Sequence, residues 1–444
     1  MKITKEIIQK IEGEATLELE WKEGKIAFAK IKFLNFRGIE NILKKRPFLD
    51  AIAITPRVCG ICSTSHTLAS ISAIEDGYKN AGYAIEIPRK AQHIREIVLN
   101  AEKIQNHIKW FYFNIYPELI AIDSGKNVYA FEDFTWQNAQ KIITKTMQMA
   151  AIFCGQWPHA SFCIIGGVTT DPLKEDLQEA SMRLEEIITF CEQEIFGVSL
   201  EEFLENDTNM QIMASSAMLK RAIELLHKNN FDSLGKSYDR FIAFGESFLY
   251  ASPSKCTGTI VANADVKFVR EDLRHTFFQP DGYTYSKSAV YKEKFYETGP
   301  LARLMVAKNP LIKDFHRRYK DATLTRIVAR VSEIAHLLQR VRELLQKIDI
   351  KESSCNFPKI KYQSITTQGT GVIEAARGSL IHTIDIQNGL ISKYDIITPT
   401  VWNLGNGTPK EPSVAQNAII GMDSVTNADF IFKSFDVCSV CTTQ

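Results

Sequence analysis

Arg57-Val58-Cys59-Gly60-Ile61-Cys62-Ser63-Thr64-Ser65-His66 sets two thiols on either side of a two-residue spacer, just ahead of a small-residue helical stretch. Ser434-Phe435-Asp436-Val437-Cys438-Ser439-Val440-Cys441 repeats that spacing at the other end of the chain, three residues before the last one. Two such pairs supply four soft ligands to one metal site. Either pair alone also suits a redox dithiol, and both together suit a structural zinc site that ties the chain ends. The other five of the nine cysteines, Cys154, Cys163, Cys191, Cys256 and Cys355, occur singly and read as buried apolar residues. A disulfide framework does not suit so long a chain without a secretion signal.

Working outward from the pairs, the pattern is mixed. ATLELEW and KIAFAKIKF, within residues 15–34, alternate apolar and polar residues around Glu23-Gly24, which reads as two strands and a turn. Apolar residues at three- and four-residue spacing predict helices over about 89–117, 135–153, 173–195, 200–229 and 311–348. Residues 231–300 are dotted with Gly, Pro and Tyr and read as irregular, with strand-like GTIVANADVKFV inside. After Pro358 the pattern returns to short strands and turns, with a last helix over 411–421. The expected fold is α+β, a bundle of long helices with β-containing caps built from both chain ends, in a single domain over residues 1–444.

The net charge of +1 gives no bulk attraction to nucleic acid or an anionic membrane surface. No apolar run reaches the roughly 18 residues of a spanning helix, and MKITKEIIQKIEGE has no apolar signal core. A cytoplasmic protein is expected, or one exported together with a signal-bearing partner.

Along nearly its whole length the sequence resembles the large, catalytic subunit of nickel–iron hydrogenases. Both cysteine stretches resemble that family's two signatures. So, in the same order, do Lys10-Ile11-Glu12-Gly13, Phe36 to Glu40, Trp157-Pro158-His159, Gly166-Gly167-Val168, Glu297 to Arg303, Glu374 to Leu380 and Pro399-Thr400-Val401-Trp402-Asn403. The related subunit of respiratory NADH dehydrogenase lacks the four cysteines.

The resemblance implies that Cys59, Cys62, Cys438 and Cys441 bind nickel, with Cys62 and Cys441 bridging to an iron that carries carbon monoxide and two cyanides. It implies heterolytic cleavage of dihydrogen, with a thiolate such as Cys438 or Cys441 as first proton acceptor and Glu12 as relay. Arg377 would contact one cyanide and pair with Asp436; Thr400 would donate to the other, and Leu380 would line the carbon monoxide pocket. His66 would hydrogen-bond near Cys62 and orient it. A buried magnesium ion would take Glu40, the Ile396 carbonyl and waters. Read without the resemblance, Glu12 is a turn glutamate, Glu40 a first-turn glutamate, His66 a helix-start histidine, and the others loop residues. Electrons would leave through an iron–sulfur small subunit, because no spare cysteine cluster has iron–sulfur spacing.

Several positions depart from the family pattern. Val437 and Ala376 stand where Pro is usual, Trp110 where a histidine is usual, and Glu118 where a canopy aspartate is usual. Gln444 stands where a histidine normally reaches the magnesium, and its amide oxygen suits the same hard ion. Two further functions fit the same residues: a hydrogen-sensing regulatory hydrogenase of low turnover, and a non-catalytic structural subunit.

Overall fold

A helix lies almost in backbone contact with a strand at the centre of the molecule, and this contact places the first cysteine pair. The computed structural model describes residues 2–9, 11–125, 134–215, 217–357 and 364–442. Helix α1 (Ser63–Asn80) begins directly after Cys62. It crosses the first strand of a hairpin built late in the chain. There, a side chain on Gly369 or Gly371 would meet the carbonyl oxygens of Ala73 and Ala69, each at 2.0 Å. Every second residue of a strand lies on the same face, so two glycines two apart clear a flat track for the helix.

The fold is α+β, with sheets contributed by both ends of the chain. β1 (Lys2–Ile8), β2 (Ala15–Lys22) and β3 (Lys25–Lys32) form an antiparallel sheet. The turn falls at Glu23-Gly24, both at positive φ, as the sequence predicts. β1 completes this sheet although its run of charges hides the alternation. β4 (Val269–Asp272) pairs with β5 (Ser288–Tyr291). β6 (Thr367–Ala375), β7 (Gly378–Gln387) and β8 (Leu390–Ile397) form the sheet under α1.

The helical body consists chiefly of α2 (Arg89–Lys109), α3 (Phe134–Cys154), α4 (Lys174–Phe190) and α5 (Thr323–Lys347). α2 packs on α3 and α5, and its apolar face joins a core that runs through the molecule. The helix predicted over 89–117 continues instead through a π turn at Trp110–Ile115 into a further helix, Tyr116–Ser124. The single helix predicted over 311–348 is two, Pro310–Tyr319 and α5. Lys320 turns to φ +59 between them, and the Asp321 carboxylate that follows accepts the N–H groups of Ser237 and Asp239 at 2.8 and 3.1 Å. The stretch 200–229 is likewise divided, because Thr208 and Gln211 cap a new start. Past the short helix Val414–Ile419, α7 (Val425–Ser434), which the sequence reading did not separate out, leads into the second cysteine pair; α6 (Pro399–Leu404) packs beside that turn. Among the described residues no helix is long and apolar enough to cross a membrane.

Candidate metal centre

The structure brings the four sulfurs of Cys59, Cys62, Cys438 and Cys441 together. The Sγ atoms of Cys59 and Cys438 are 3.7 Å apart, those of Cys62 and Cys441 3.6 Å, and those of Cys438 and Cys441 2.9 Å. All four residues are buried. Cys59 leaves a short 3-10 turn, Thr55–Val58, and Cys62 precedes α1. The first N–H groups of α1 are satisfied by a carboxylate rather than by a cap from its own turn. Glu102 of α2 accepts Thr64 N–H at 2.8 Å, Ser65 N–H at 3.1 Å and Ser65 Oγ at 2.6 Å. Burial raises the Glu102 carboxyl to about 7 despite those donors.

The second pair sits on a 3-10 turn, Ser439–Cys441. It is fastened on three sides. Ser439 N–H donates to the Glu12 carbonyl at 2.8 Å, and Glu12 N–H to the Val437 carbonyl at 3.3 Å. Thr398 Oγ1 donates to the Cys441 carbonyl at 2.8 Å. From outside, the Arg37 guanidinium donates to the Val58 carbonyl at 2.5 Å, to that of Arg57 at 3.2 Å, and to that of Val440, so one side chain joins both cysteine loops. Gly13 makes the close fit possible: its φ is +87, and a side chain there would lie 2.1 Å from Ser439 Oγ.

Above the sulfurs, Ala376 and Arg377 form the turn between β6 and β7. Arg377 is buried, with Nε 3.1 Å from both the carbonyl and Oδ2 of Asp436. Burial opposes its charge, but Asp436 and the neighbouring thiolates prevail and hold it protonated well beyond the usual arginine range. Asp436 also pairs with Arg330 of α5 at 2.5 Å, and the Arg330 guanidinium lies over the Trp110 ring, 4.7 Å from its centre. The Arg377 turn is held from below: Arg303 donates to the carbonyls of Ala375 and Ala376 and pairs with Glu333 and Glu374. Leu380 is buried in the same cluster as the four cysteines. Thr400, at the start of α6, is buried, and its Oγ1 has no hydrogen-bond partner among the described residues.

These residues fit a nickel–iron centre. Four close-packed buried sulfurs are not all stable as thiolates without a cation. Hydrogen bonds from Cys438, Cys441 and Cys62 hold Cys59 well below the usual thiol range, while the same crowding pushes Cys62 and Cys441 well above it. A soft cation removes that conflict by ionising the whole set. The unpartnered Thr400 hydroxyl and the buried Arg377 guanidinium each suit an anionic ligand on such a centre.

Three expected roles meet a different geometry. The His66 ring turns to His382, Nδ1 to Nε2 at 3.0 Å, and His382 continues to the Tyr394 hydroxyl at 2.8 Å. Burial lowers His66 to about 4, so this chain of rings is neutral. Glu40 does not stand open to an ion: Lys287 Nζ lies 2.8 and 2.7 Å from its two oxygens. Ile396 meets Glu40 through its N–H, at 2.8 Å, rather than through its carbonyl. Magnesium therefore does not fit this position as expected, and the Gln444 assignment lies outside the described residues. Glu12 is paired with Lys109, Nζ to Oε1 at 2.7 Å, a partner the sequence reading did not foresee.

Fold and site together define a buried cluster of four cysteines from opposite chain ends, a donor set that suits a soft metal ion. The nickel-dependent hydrogenase family model matches residues 37–124 and 258–444. The large subunit of the periplasmic [NiFeSe] hydrogenase of Desulfomicrobium baculatum is 25% identical, covering 98% of this chain and 93% of its own. A chain of the vhu F420-non-reducing hydrogenase of Methanocaldococcus jannaschii is 26% identical, with 91% and 96% covered, and the hydrogenase-2 large chain of Escherichia coli 23%, with 99% and 96% covered. Among solved structures, the Ni-Fe-Se hydrogenase of Desulfovibrio vulgaris Hildenborough in its reduced state superposes with a TM-score of 0.83, 21% identity and full coverage of both chains, a likeness of fold. The chain belongs to the nickel-dependent hydrogenase family. It is a large subunit, an oxidoreductase acting on hydrogen, of the kind that works with a small subunit.

Proposed function

We propose that this large subunit oxidises dihydrogen and passes the electrons to an iron–sulfur small subunit. The convergence of Cys59, Cys62, Cys438 and Cys441 beneath Arg377 carries this reading. A nickel–iron centre held by those sulfurs supplies heterolytic cleavage of dihydrogen when bound. Cys59, Cys62, Cys438 and Cys441 would hold that centre, with Cys62 and Cys441 as the sulfurs that would be shared with iron. Arg377 and Thr400 would each donate to a cyanide of such a centre, and Leu380 would give its carbon monoxide an apolar wall.

The chain's own residues then handle the proton. The sulfurs of Cys438 and Cys441 are the first bases within the buried site. Glu12, whose backbone is paired to Cys438, is the carboxylate that this reading makes the relay. Its partner Lys109 is 37% exposed and Glu12 itself 28%, so the pair marks the way out. A positioned carboxylate of this kind contributes roughly 10²–10⁴ in rate.

Leu34, Phe36, Phe277 and Phe278 are exposed beside Arg37, with the Phe36 ring 5.4 Å from Phe278 and stacked at 5.2 Å on Tyr285. An apolar face of that kind, next to the cysteine loops, suits a subunit interface.

An infrared spectrum of the purified heterodimer tests the proposal. Bands of metal-bound carbon monoxide and cyanide are expected. Nickel-loaded protein without such bands would refute the assigned ligand set.

A further inference from the structure

The position beside Glu40 is built from three side chains brought together by the fold. Lys287 stands immediately before β5, Glu271 lies on the paired strand β4, and Glu40 follows the Phe36–Gly38 turn. The Lys287 ammonium is 2.8 and 2.7 Å from the oxygens of Glu40 and 3.0 Å from Glu271 Oε1. None of the three is more than 20% exposed. Glu40 Oε1 also accepts the Ile396 N–H at 2.8 Å. An ionised carboxylate offers about four lone-pair positions. Lys287 takes one on each oxygen and Ile396 another, which leaves a single place on Oε2.

Magnesium demands near-octahedral oxygen ligands at about 2.0–2.1 Å. Glu40 has only the one Oε2 position left for such an ion, directly beside an ammonium that already bridges both oxygens. A second cation on Glu40 would stand against the ammonium at short range, a repulsion poorly screened away from water, while Glu271, the other carboxylate here, is already paired with that ammonium.

The geometry points to Lys287 as the resident cation of this position: a covalently tethered ammonium that does the bridging work of a divalent ion, so that this chain holds the strand around Ile396 without bound magnesium. The ammonium links the β4–β5 ribbon to Glu40, and Glu40 links to β8 through Ile396. The second cysteine turn is fastened separately, by Thr398 to Cys441 at 2.8 Å and by the Thr442 hydroxyl to the Ser439 carbonyl at 2.6 Å. Hydrogen bonds thus hold the described end of the chain. A tethered charge differs from a bound ion in one measurable respect: it gives no stabilisation that depends on ion concentration.

The test uses the heterodimer, exchanged into magnesium-free buffer. Metal analysis and thermal unfolding are followed with no addition, with chelator, and with magnesium chloride. The expected result is nickel without magnesium above background, and an unfolding midpoint indifferent to chelator and to magnesium. About one magnesium per large subunit, or a midpoint that falls with chelator, would overturn the inference. The nickel content of the same sample reports on the nickel–iron reading independently. Lys287→Met uncovers Glu40 and Glu271, and its midpoint is expected to be lower and to rise with magnesium chloride. A midpoint in that variant that ignores magnesium would contradict the reading of the position as a cation site. Should the variant fail to fold, the measurement on the unaltered protein still decides.

Discussion

Glu12 and Cys438 face each other across a parallel backbone bridge, with Ser439 N–H bonded to the Glu12 carbonyl at 2.8 Å and Glu12 N–H to the Val437 carbonyl at 3.3 Å. The segment that carries the candidate proton relay is thereby also a wall of the cysteine site. Relay and site geometry can be separated by choosing substitutions that touch one and not the other.

Glu12→Gln keeps the backbone bridge and the side chain's size but removes the titratable proton. Turnover should fall by roughly 10²–10⁴ if Glu12 is the positioned acid–base group. Nickel content and infrared bands should not change. Wild-type turnover in this variant would remove Glu12 from the proton route.

Gly13→Ala addresses the wall itself. Its Cβ would press on Ser439 Oγ at 2.1 Å, on a backbone at φ +87. Strain at such a φ costs on the order of 1–3 kcal/mol, and the Ser439 hydroxyl can withdraw only by giving up the Glu14 N–H that it accepts at 2.8 Å. Lower nickel per chain and a lower unfolding midpoint are expected. Gly24→Ala is the control, because φ is +76 there with nothing within 4 Å; it should share the strain and keep its nickel. Equal nickel in the two variants would count against the fit.

Arg37→Met should loosen the two cysteine loops from each other, since one guanidinium donates to carbonyls on both. Arg37→Lys should rescue it only in part, because a single ammonium lacks the planar fork. The readouts are nickel occupancy after prolonged dialysis and the position of the infrared bands. Full retention in Arg37→Met would show the clamp to be dispensable.

Glu102 gives a pH dependence with a defined sign. Burial raises its carboxyl to about 7, above the roughly 4.3 of an unfolded glutamate. The folded protein therefore binds more protons between those values than the unfolded chain. This contribution is fully present below the unfolded value and is lost as pH rises through about 7. Relative to Glu102→Gln, the wild-type unfolding midpoint should drop between about pH 5 and pH 8. A pH-independent difference would contradict the raised value.

What the sequence revealed depended on whether the chemistry was local. The cysteine pairs were legible because their spacing is itself the ligand pattern, and β2, β3 and their turn because alternation and Glu23-Gly24 are neighbours in sequence. The Arg377–Asp436 pair came from resemblance, and the structure shows it at 3.1 Å. Partners brought in from elsewhere in the fold left no trace. Lys287 beside Glu40, His382 beside His66 and Lys109 beside Glu12 are ordinary residues within their own segments. Glu102 was hidden for the same reason: it lies in an amphipathic helical pattern, and nothing near it in sequence shows that it caps α1. The break at Lys320 escaped periodicity because its cause, the Asp321 carboxylate, acts on Ser237 and Asp239.

Nickel held by these four cysteines would leave a direct spectroscopic mark. Nickel-edge X-ray absorption on the purified heterodimer, with metal analysis of the same sample, tests this ligation most directly. One nickel per large subunit in a sulfur-dominated shell is predicted, with that shell diminished in Cys59→Ser. Nickel surrounded by nitrogen and oxygen, or absent from active protein, would contradict the account.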